Sequence, residues 1–232
     1  MSKDREKSIL EILVKEKRAT VGELAARLYI SEPSIRRDLA SLEKQKMIKR
    51  IHGGAIIDDS AMSQIKLPFL IREYEESNAK GEMAKMAIEL VEDGDVVFLD
   101  ASTSAYNIIP LLKEKRDIIV ITNGVKALQM LAQMDIPAVC TGGELIASCM
   151  ALVGEDACET VGRYRADVFF FSCRGVSEEG YLTDIAPKEN HVRKKMMENA
   201  KKSYLLCGKN KIGKEYYHVL CHREDIDGVI SR

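Results

Sequence analysis

The sequence contains no long hydrophobic run. Its longest uninterrupted apolar stretches have the size of residues 96–99 or 118–121, whereas a helix that crosses a bilayer needs about 20 apolar residues. The first residues are charged and lead directly into an amphipathic pattern, without the apolar core and small-residue cleavage site of a signal peptide. We therefore expect a cytoplasmic protein with no membrane partner.

No two of the six cysteines have the spacing Cys-x-x-Cys, which is the commonest thiol signature of a metal or redox site. We interpret the cysteines as reduced thiols that serve as small core hydrophobes. Cys221 has His218 and His222 nearby, but this group lies in a short apolar stretch where nothing supplies a second ligand pair. We therefore expect neither a metal nor another cofactor.

The chain has no strong excess of charge, because its net charge is only -1. The charge is unevenly distributed, however: residues 1–58 hold 13 Lys and Arg against 9 Asp and Glu, whereas the remaining 174 hold 22 against 27. The length of 232 residues, with 46% hydrophobic and 31% charged residues, fits one large or two modest globular domains. A small basic module thus precedes a larger acidic one, a pattern equally typical of nucleic-acid binding and of ordinary solvated helices.

The basic module has the pattern of a helix-turn-helix. A first amphipathic helix extends to about Lys17, and Thr20 then caps a short second helix over 21–28, with Glu23 at the capping-box position. Ser31 is a favoured N-cap for a third helix that extends to about Lys46. Two short helices joined by a tight turn predict a helix-turn-helix, although an unrelated three-helix cap would share this order of elements.

The third helix has the pattern of a recognition helix. Ile35, Leu39 and Leu42 fall on its buried side, and the opposite side offers guanidinium and hydroxyl groups, which suit base edges. Residues 49–57 predict a wing of two short strands about the Gly53-Gly54 turn. The predicted DNA-binding residues of the helix and the wing are Ser34, Arg36, Arg37, Ser41, Lys44, Lys49, Arg50 and His52.

The larger part of the chain alternates helical patterns with apolar runs. We predict a DNA-binding domain over 1–58, a linker over 59–78 and an α/β domain over 79–232, whose sheet is mainly parallel because its apolar runs are buried on both faces. Three of these runs end in loops rich in small polar residues, at 100–105, 122–124 and 141–144. Such loops can bind phosphate at the carboxyl edge of a sheet, but each alone is equally typical of ordinary caps and turns.

Residues in both parts of the chain carry a specific family resemblance. The chain resembles the DeoR family of bacterial transcriptional regulators, at residues 21–25, 31, 35–39, 42–43, 50–55, 93–95, 100–104, 121–123, 141–143, 154, 175–177, 180–183, 189 and 211–213. The resemblance implies a winged helix-turn-helix joined to a sensor domain that is similar in fold to ribose-phosphate isomerases and glucosamine-phosphate deaminases. It also implies a phosphorylated sugar as effector and a homo-oligomeric repressor as the usual form. Because the two half-sites of a palindromic operator mirror a two-fold symmetric protein, we predict a dimer or a tetramer made of dimers.

The sensor part departs from the family pattern at three places. Ser102-Thr103-Ser104 stands where the family has Gly-Thr-Thr, Arg193 where it has Lys, and Gly208 where it has Asp. The identity of the sugar therefore stays open. The effector-binding residues predicted from the loops and the resemblance are Asp100, Ser102, Thr103, Ser104, Thr122, Asn123, Gly142, Gly143, Asp184, Glu189, Arg193 and Lys211.

Two functions are compared. The first is a repressor that binds double-stranded operator DNA under the control of a sugar phosphate. The second is a sugar-phosphate isomerase or deaminase with an appended DNA module, for which Asp100, Asp184 or Glu189 would transfer the proton. We favour the repressor, because a retained ligand pocket is sufficient for a sensor whereas an enzyme has no use for a helix-turn-helix.

Overall fold

The computed structural model describes residues 2–44, 47–57 and 69–232 and separates into two compact units, Met1–Glu75 and Glu76–Arg232. The last two residues of the predicted third helix, and residues 59–68 of the predicted linker, lie outside the described residues. The remainder of the predicted linker is mostly helical. Phe69, which is buried, begins a short helix there. The predicted domain limits otherwise stay predictions.

The first unit is built from short helices and a small sheet. Its elements are α1 (Ser2–Glu16), β1 (Arg18–Thr20), α2 (Val21–Leu28), α3 (Glu32–Lys44), β2 (Lys49–Ile51), β3 (Gly54–Ile56) and α4 (Phe69–Tyr74). The predicted capping box at the start of α2 is present: the Thr20 hydroxyl accepts from the Glu23 amide at 3.2 Å, and the Thr20 amide donates to the Glu23 carboxylate at 2.7 Å. The helix-turn-helix therefore begins where the sequence predicts.

The wing is held against the rest of the first unit by a three-stranded sheet in the order β1-β3-β2. The predicted Gly-Gly turn is shifted by one residue, since Gly53 lies in the turn with φ +77° and Gly54 begins β3. A Cβ at Gly54 would lie 2.3 Å from the Ala19 carbonyl oxygen of β1, so glycine is required for this backbone approach. The sequence did not reveal β1, which is only three residues long.

The second unit alternates strands and helices. Its elements are α5 (Ser77–Ile88), β4 (Val96–Leu99), α6 (Thr103–Tyr106), α7 (Ile109–Leu112), β5 (Ile119–Thr122), α8 (Val125–Gln133), β6 (Ala138–Cys140), β7 (Glu144–Ile146), β8 (Ala151–Val153), α9 (Glu155–Gly162), β9 (Ala166–Phe171), β10 (Gly175–Val176), β11 (Tyr181–Asp184), α10 (Pro187–Glu198), β12 (Ala200–Cys207), β13 (His218–His222) and β14 (Gly228–Ser231).

A six-stranded sheet in the order β14-β12-β9-β4-β5-β6 forms the middle layer, and its pairings are parallel. Alternate residues of β9 enter two different hydrophobic cores: Phe170 packs in one core, and Phe169 and Phe171 pack in the other. Helices cover both faces, which explains why the strands are apolar throughout. The predicted α/β class with a mainly parallel sheet and an N-terminal helix-turn-helix is confirmed.

Several short elements were not predicted. They include the edge strand β14, the antiparallel sheet β10-β11-β13 and the hairpin β7-β8. The cysteines agree only partly with their interpretation as core residues: Cys140 is exposed on β6 and Cys221 is half-buried. Within the described part of the chain, no helix is long and apolar enough to cross a membrane.

Candidate functional site

The exposed face of α3 is rotated about the helix axis by part of a turn relative to the predicted face. Ile35, Leu39 and Leu42 are buried as expected, but Asp38 is buried with them. The Asp38 carboxylate accepts from the guanidinium of Arg5, Nε to Oδ2 at 3.0 Å and Nη2 to Oδ1 at 3.1 Å. This bidentate ion pair joins α1 to α3 and allows a carboxylate to face the core.

Burial of Asp38 widens the buried side of α3 and displaces its outer face. Arg37 and Lys44 are exposed, as predicted, and so is Arg36 on the flank, whereas Ser34 and Ser41 are only half-exposed. The two serines therefore lie at the margin of the outer face rather than at its centre. The sequence pattern missed this because Asp is rarely buried without a partner, and the partner is 33 residues away.

The arginines of α3 make only exchangeable contacts. Arg36 forms an ion pair with Glu32 at 2.6 Å, and Arg37 donates to the Ser34 hydroxyl at 3.2 Å. Surface pairs of this kind are worth about 0.3–0.5 kcal/mol, so a phosphate or a base edge can replace the present partner at little cost. Both guanidinium groups are thus available to DNA.

The wing presents its basic residues to solvent. Lys49, Arg50 and His52 are exposed, and the Arg50 amide donates to the Glu43 carboxylate at the end of α3 at 3.0 Å. This hydrogen bond fixes the base of the wing to α3. Exposed basic groups of this kind suit contacts with phosphate oxygens.

A second group of predicted residues lies at the carboxyl edge of the parallel sheet. Asp100 follows β4, Thr122 and Asn123 lie at the end of β5, and Lys211 follows β12. Because β12, β9, β4 and β5 are neighbours, the loops after them form one row. Ser172, which follows β9 within this row, was not singled out from the sequence.

The predicted residues of opposite charge are brought together in one buried cluster. Arg193 on α10 is 5% exposed. It donates to Asp100 at 2.8 Å and to Asp184 at 2.9 Å, and its Nη2 lies 3.5 Å from the Glu189 carboxylate. Burial by itself lowers the pKa of Arg193, but these three carboxylates outweigh it and raise the pKa above its ordinary value. The guanidinium of Arg193 is therefore already paired with carboxylates of the protein, rather than exposed as a ligand for phosphate.

The same cluster orients the loop after β4. Asp100 accepts from the amide of Ser102 at 3.0 Å and from the amide of Ser172 at 3.3 Å, in addition to Arg193. The Ser102 hydroxyl accepts from the amide of Ala105 at 3.1 Å and so caps α6. Ser102 thus has a structural role in the loop, while Thr103 and Ser104 are buried beside it.

The loop after β5 holds an unsatisfied acceptor. Asn123 is 2% exposed, and its amide nitrogen donates to the Leu152 carbonyl at 2.9 Å. Its Oδ1 is buried and has no hydrogen-bond partner among the described residues. The neighbouring Thr122 hydroxyl accepts from the Gly124 amide at 3.0 Å. Because an unpaired buried acceptor costs about 1–3 kcal/mol, Asn123 marks a place where a ligand donor would be stabilising.

Lys211 lies at the other end of the row. Its ammonium donates to the Ser172 hydroxyl at 2.8 Å, and this hydroxyl donates to the Leu206 carbonyl at 2.7 Å. Lys211 is half-buried, so its charge borders both solvent and the loop after β9. The ammonium thus adds a positive charge to this edge of the sheet.

The predicted glycines after β6 have separate roles. Gly142 has φ +68° with open space around it, whereas Gly143 has φ +101° and a Cβ there would lie 2.4 Å from the Val153 carbonyl oxygen. Gly143 is therefore required by packing against β8. Nothing in its contacts assigns it to a ligand, so the effector role of both glycines stays a prediction.

The two histidines beside Cys221, to which the sequence assigns no metal, have other partners. The Nδ1 atom of His218 lies 2.8 Å from the Asn190 amide nitrogen, and the Nε2 atom of His222 lies 2.8 Å from the Glu179 carbonyl oxygen. Among the residues that the structure describes, no group of three or more His, Cys, Asp or Glu is arranged to hold a metal ion.

Comparisons with known proteins cover nearly the whole chain. The family model described as the DeoR-like helix-turn-helix domain matches residues 5–61. The model described as the DeoR C terminal sensor domain matches residues 75–232. These ranges correspond to the two groups of candidate residues.

Two relatives that match most of this chain are named as a transcriptional regulator and a repressor. An uncharacterized HTH-type transcriptional regulator of Bacillus subtilis, FruR, is 31% identical over 92% of this chain and 84% of its own length. A lactose phosphotransferase system repressor of Staphylococcus epidermidis is 26% identical over 98% and 91%. Among solved structures, ribose 5-phosphate isomerase A of Methanocaldococcus jannaschii is 22% identical with a TM-score of 0.45, over 59% of this chain and about half (54%) of its own length.

Proposed function

Because this chain belongs to the DeoR family of transcriptional regulators, we propose that it represses a carbohydrate-metabolism operon and that a phosphorylated sugar controls its affinity for operator DNA. The name of the lactose phosphotransferase system repressor, which matches almost the full length of this chain, supports a sugar operon as the target. The sensor domain match supports a small-molecule effector.

The first unit supplies the DNA contacts in this proposal. Arg37 reads a base from the exposed face of α3, because an arginine fork matches the O6 and N7 acceptors of guanine. Lys49 and Arg50 hold the phosphate backbone from the wing. Loss of either wing residue is therefore expected to weaken binding to all sequences, whereas loss of Arg37 removes sequence preference.

The second unit supplies the effector pocket. The observation that carries this part is the buried, unpaired Oδ1 of Asn123, an acceptor that a donor such as a sugar hydroxyl would satisfy. Lys211 provides the positive charge for a phosphate at the same sheet edge. Thr103 and Ser104, buried in the neighbouring loop, contribute further polar groups.

The chain is a regulator and not an isomerase or deaminase. Asp100 and Asp184 each accept a hydrogen bond from the buried Arg193, so both carboxylates are engaged within the protein. The two relatives named above that match most of this chain in sequence are a regulator and a repressor. Turnover of a sugar phosphate by the purified chain would contradict this conclusion.

We further propose that the chain acts as a dimer, or as a tetramer made of dimers, in the cytoplasm. A palindromic operator has two half-sites, and its symmetry is matched by two copies of the protein. The second unit is the larger one and offers the area for a stable interface, which needs about 800 Å² per partner.

Fluorescence anisotropy tests the proposed function. A labelled duplex is first selected from a random pool for binding to the full-length chain. It is then titrated with the chain, in the absence and in the presence of glucose 6-phosphate, fructose 1-phosphate, fructose 6-phosphate or ribose 5-phosphate. We expect one sugar phosphate to change the operator Kd by about 5- to 150-fold, and inorganic phosphate and unphosphorylated sugars to have no such effect. A pool that yields no preferred sequence would refute the DNA-binding part. A Kd unchanged across a wider set of sugar phosphates would refute the effector part.

A further inference from the structure

The centre of the outer face of α3 is occupied by four residues that the sequence pattern only partly identified. Pro33, Arg37, Ala40 and Lys44 are all exposed and follow one another at intervals of four, three and four residues. At about 100° per residue they lie within an arc of about 60°. This stripe faces away from the buried side of α3, so it is the part of the helix that can enter a groove of DNA.

Two residues of the stripe are small and apolar. Pro33 precedes Arg37 by four residues and Ala40 follows it by three, so they lie about 6 Å and 4.5 Å away along the helix axis. Proline is tolerated in the first turn because the amide that it lacks would have no partner within the helix. The arginine that contacts a base is thus flanked by an apolar group on each side.

The base edges of the major groove contain one apolar group, the C5-methyl of thymine. Successive bases of a strand are separated by about 3.4 Å along the duplex. The spacing of Pro33 and Ala40 from Arg37 therefore corresponds to between one and two base-pair steps. A side chain without polar atoms at these positions fits a methyl group, and it would leave the donors and acceptors of other bases unpaired.

We propose that Pro33 and Ala40 determine sequence specificity by contacting thymine methyl groups on either side of the base pair that Arg37 reads. The inference rests on the proposed function, because it requires α3 to lie in the major groove. It extends that function by naming the bases: a guanine with a thymine, on either strand, one or two steps to each side.

The first experiment uses the unaltered full-length chain. Preferred duplexes are selected from a random pool, and each thymine beside the guanine that depends on Arg37 is then replaced by uracil, which lacks only the methyl group. We expect each replacement to weaken binding about fourfold, the equivalent of one buried methyl or methylene group. Uracil at positions more than two steps from this guanine serves as the control and is expected to leave the Kd unchanged.

The second experiment changes the protein. Ala40→Asn places an amide where the methyl contact was, and asparagine pairs with adenine. Selection with this variant is therefore expected to replace thymine by adenine at one position only. Ala132→Asn is the matched control, since Ala132 is an exposed helical alanine of the second unit, and it is expected to select the parent sequence.

The outcomes separate the inference from the proposed function. If the parent chain selects no preferred sequence, the proposed function itself fails. If a preferred sequence depends on Arg37 but shows no adjoining thymine, or tolerates uracil there, the inference about Pro33 and Ala40 is overturned while the function stands. An Ala40→Asn variant that folds and selects the parent sequence also overturns it for Ala40.

Discussion

Removal of the Arg193 side chain is expected to destabilise the second unit strongly. Arg193→Met keeps the length and the apolar stem of the side chain but deletes the cation that three carboxylates surround. Asp100 and Asp184 each lose a hydrogen bond shorter than 3 Å, and Glu189 loses its ion pair. All three carboxylates are at most 5% exposed, so water does not replace the lost partner without local opening of the structure.

The magnitude follows from this burial. Removing one partner of a buried ion pair costs about 3–5 kcal/mol, because the charge left behind is uncompensated. For a protein of this size, such a loss lowers the midpoint of thermal unfolding by about 10 °C. The matched control is Lys188→Met on the same helix, where the ion pair with Glu144 is exposed on both sides. This control is expected to change the free energy of unfolding by less than about 0.5 kcal/mol.

Urea unfolding and calorimetry of the full-length chain measure both variants. The transition of the second unit should shift for Arg193→Met and stay in place for Lys188→Met. If Arg193→Met retains the parent's free energy of unfolding within about 1 kcal/mol but loses the response to sugar phosphate, the reasoning is refuted. Arg193 would then be an effector ligand, as the sequence alone predicted, rather than the centre of a structural ion cluster.

Further predictions test the other sites. Arg37→Ala should lose about 1–3 kcal/mol of operator preference per half-site while retaining affinity for random DNA, which a competition gel shift measures; undiminished discrimination would contradict the assigned face of α3. Lys211→Ala should bind operator normally but fail to respond to the sugar phosphate found by anisotropy; an unchanged response would place the phosphate elsewhere. A fragment of residues 76–232 should form dimers or tetramers in light scattering, and a monomer would show that the interface lies outside it. Among the thiols, exposed Cys140 should react first with a thiol reagent at pH 8, while burial, which raises the pKa of Cys173 to about 12, keeps that thiol protonated and slow; equal rates would argue against this burial.

The elements that the sequence predicts best are those with a hydrophobic pattern extending over several residues. The helix-turn-helix and the main parallel strands were predictable because each has a hydrophobic period or an apolar run of several residues. β1 and β14 were missed because β1 has one apolar residue and β14 only two, so neither contains an apolar run or a period. Their residues carry too little local signal.

The site was less predictable than the fold for a related reason. The loops after β4 and β5 were identified from their polar residues, but the partner of each side chain depends on distant parts of the chain. Asp38 faces the core only because Arg5 reaches it, and Asp100 is bound by Arg193, 93 residues away. Such ion pairs produce no periodic pattern in the sequence. The structure was therefore needed to distinguish side chains that can bind an effector from side chains that are already paired within the protein.

The alternation of β9 between two cores, with Phe170 on one side and Phe169 and Phe171 on the other, has an evolutionary consequence. The phenylalanines fix the layers of the domain, whereas Ser172, the next residue, already belongs to the loop at the carboxyl edge of the sheet. Apart from the core residues Ala101 and Cys173 and the ion-paired Asp100, side chains of that loop and its neighbours can be substituted without disturbing either core. A domain of this kind can therefore exchange one ligand for another during gene duplication and divergence while its scaffold stays unchanged.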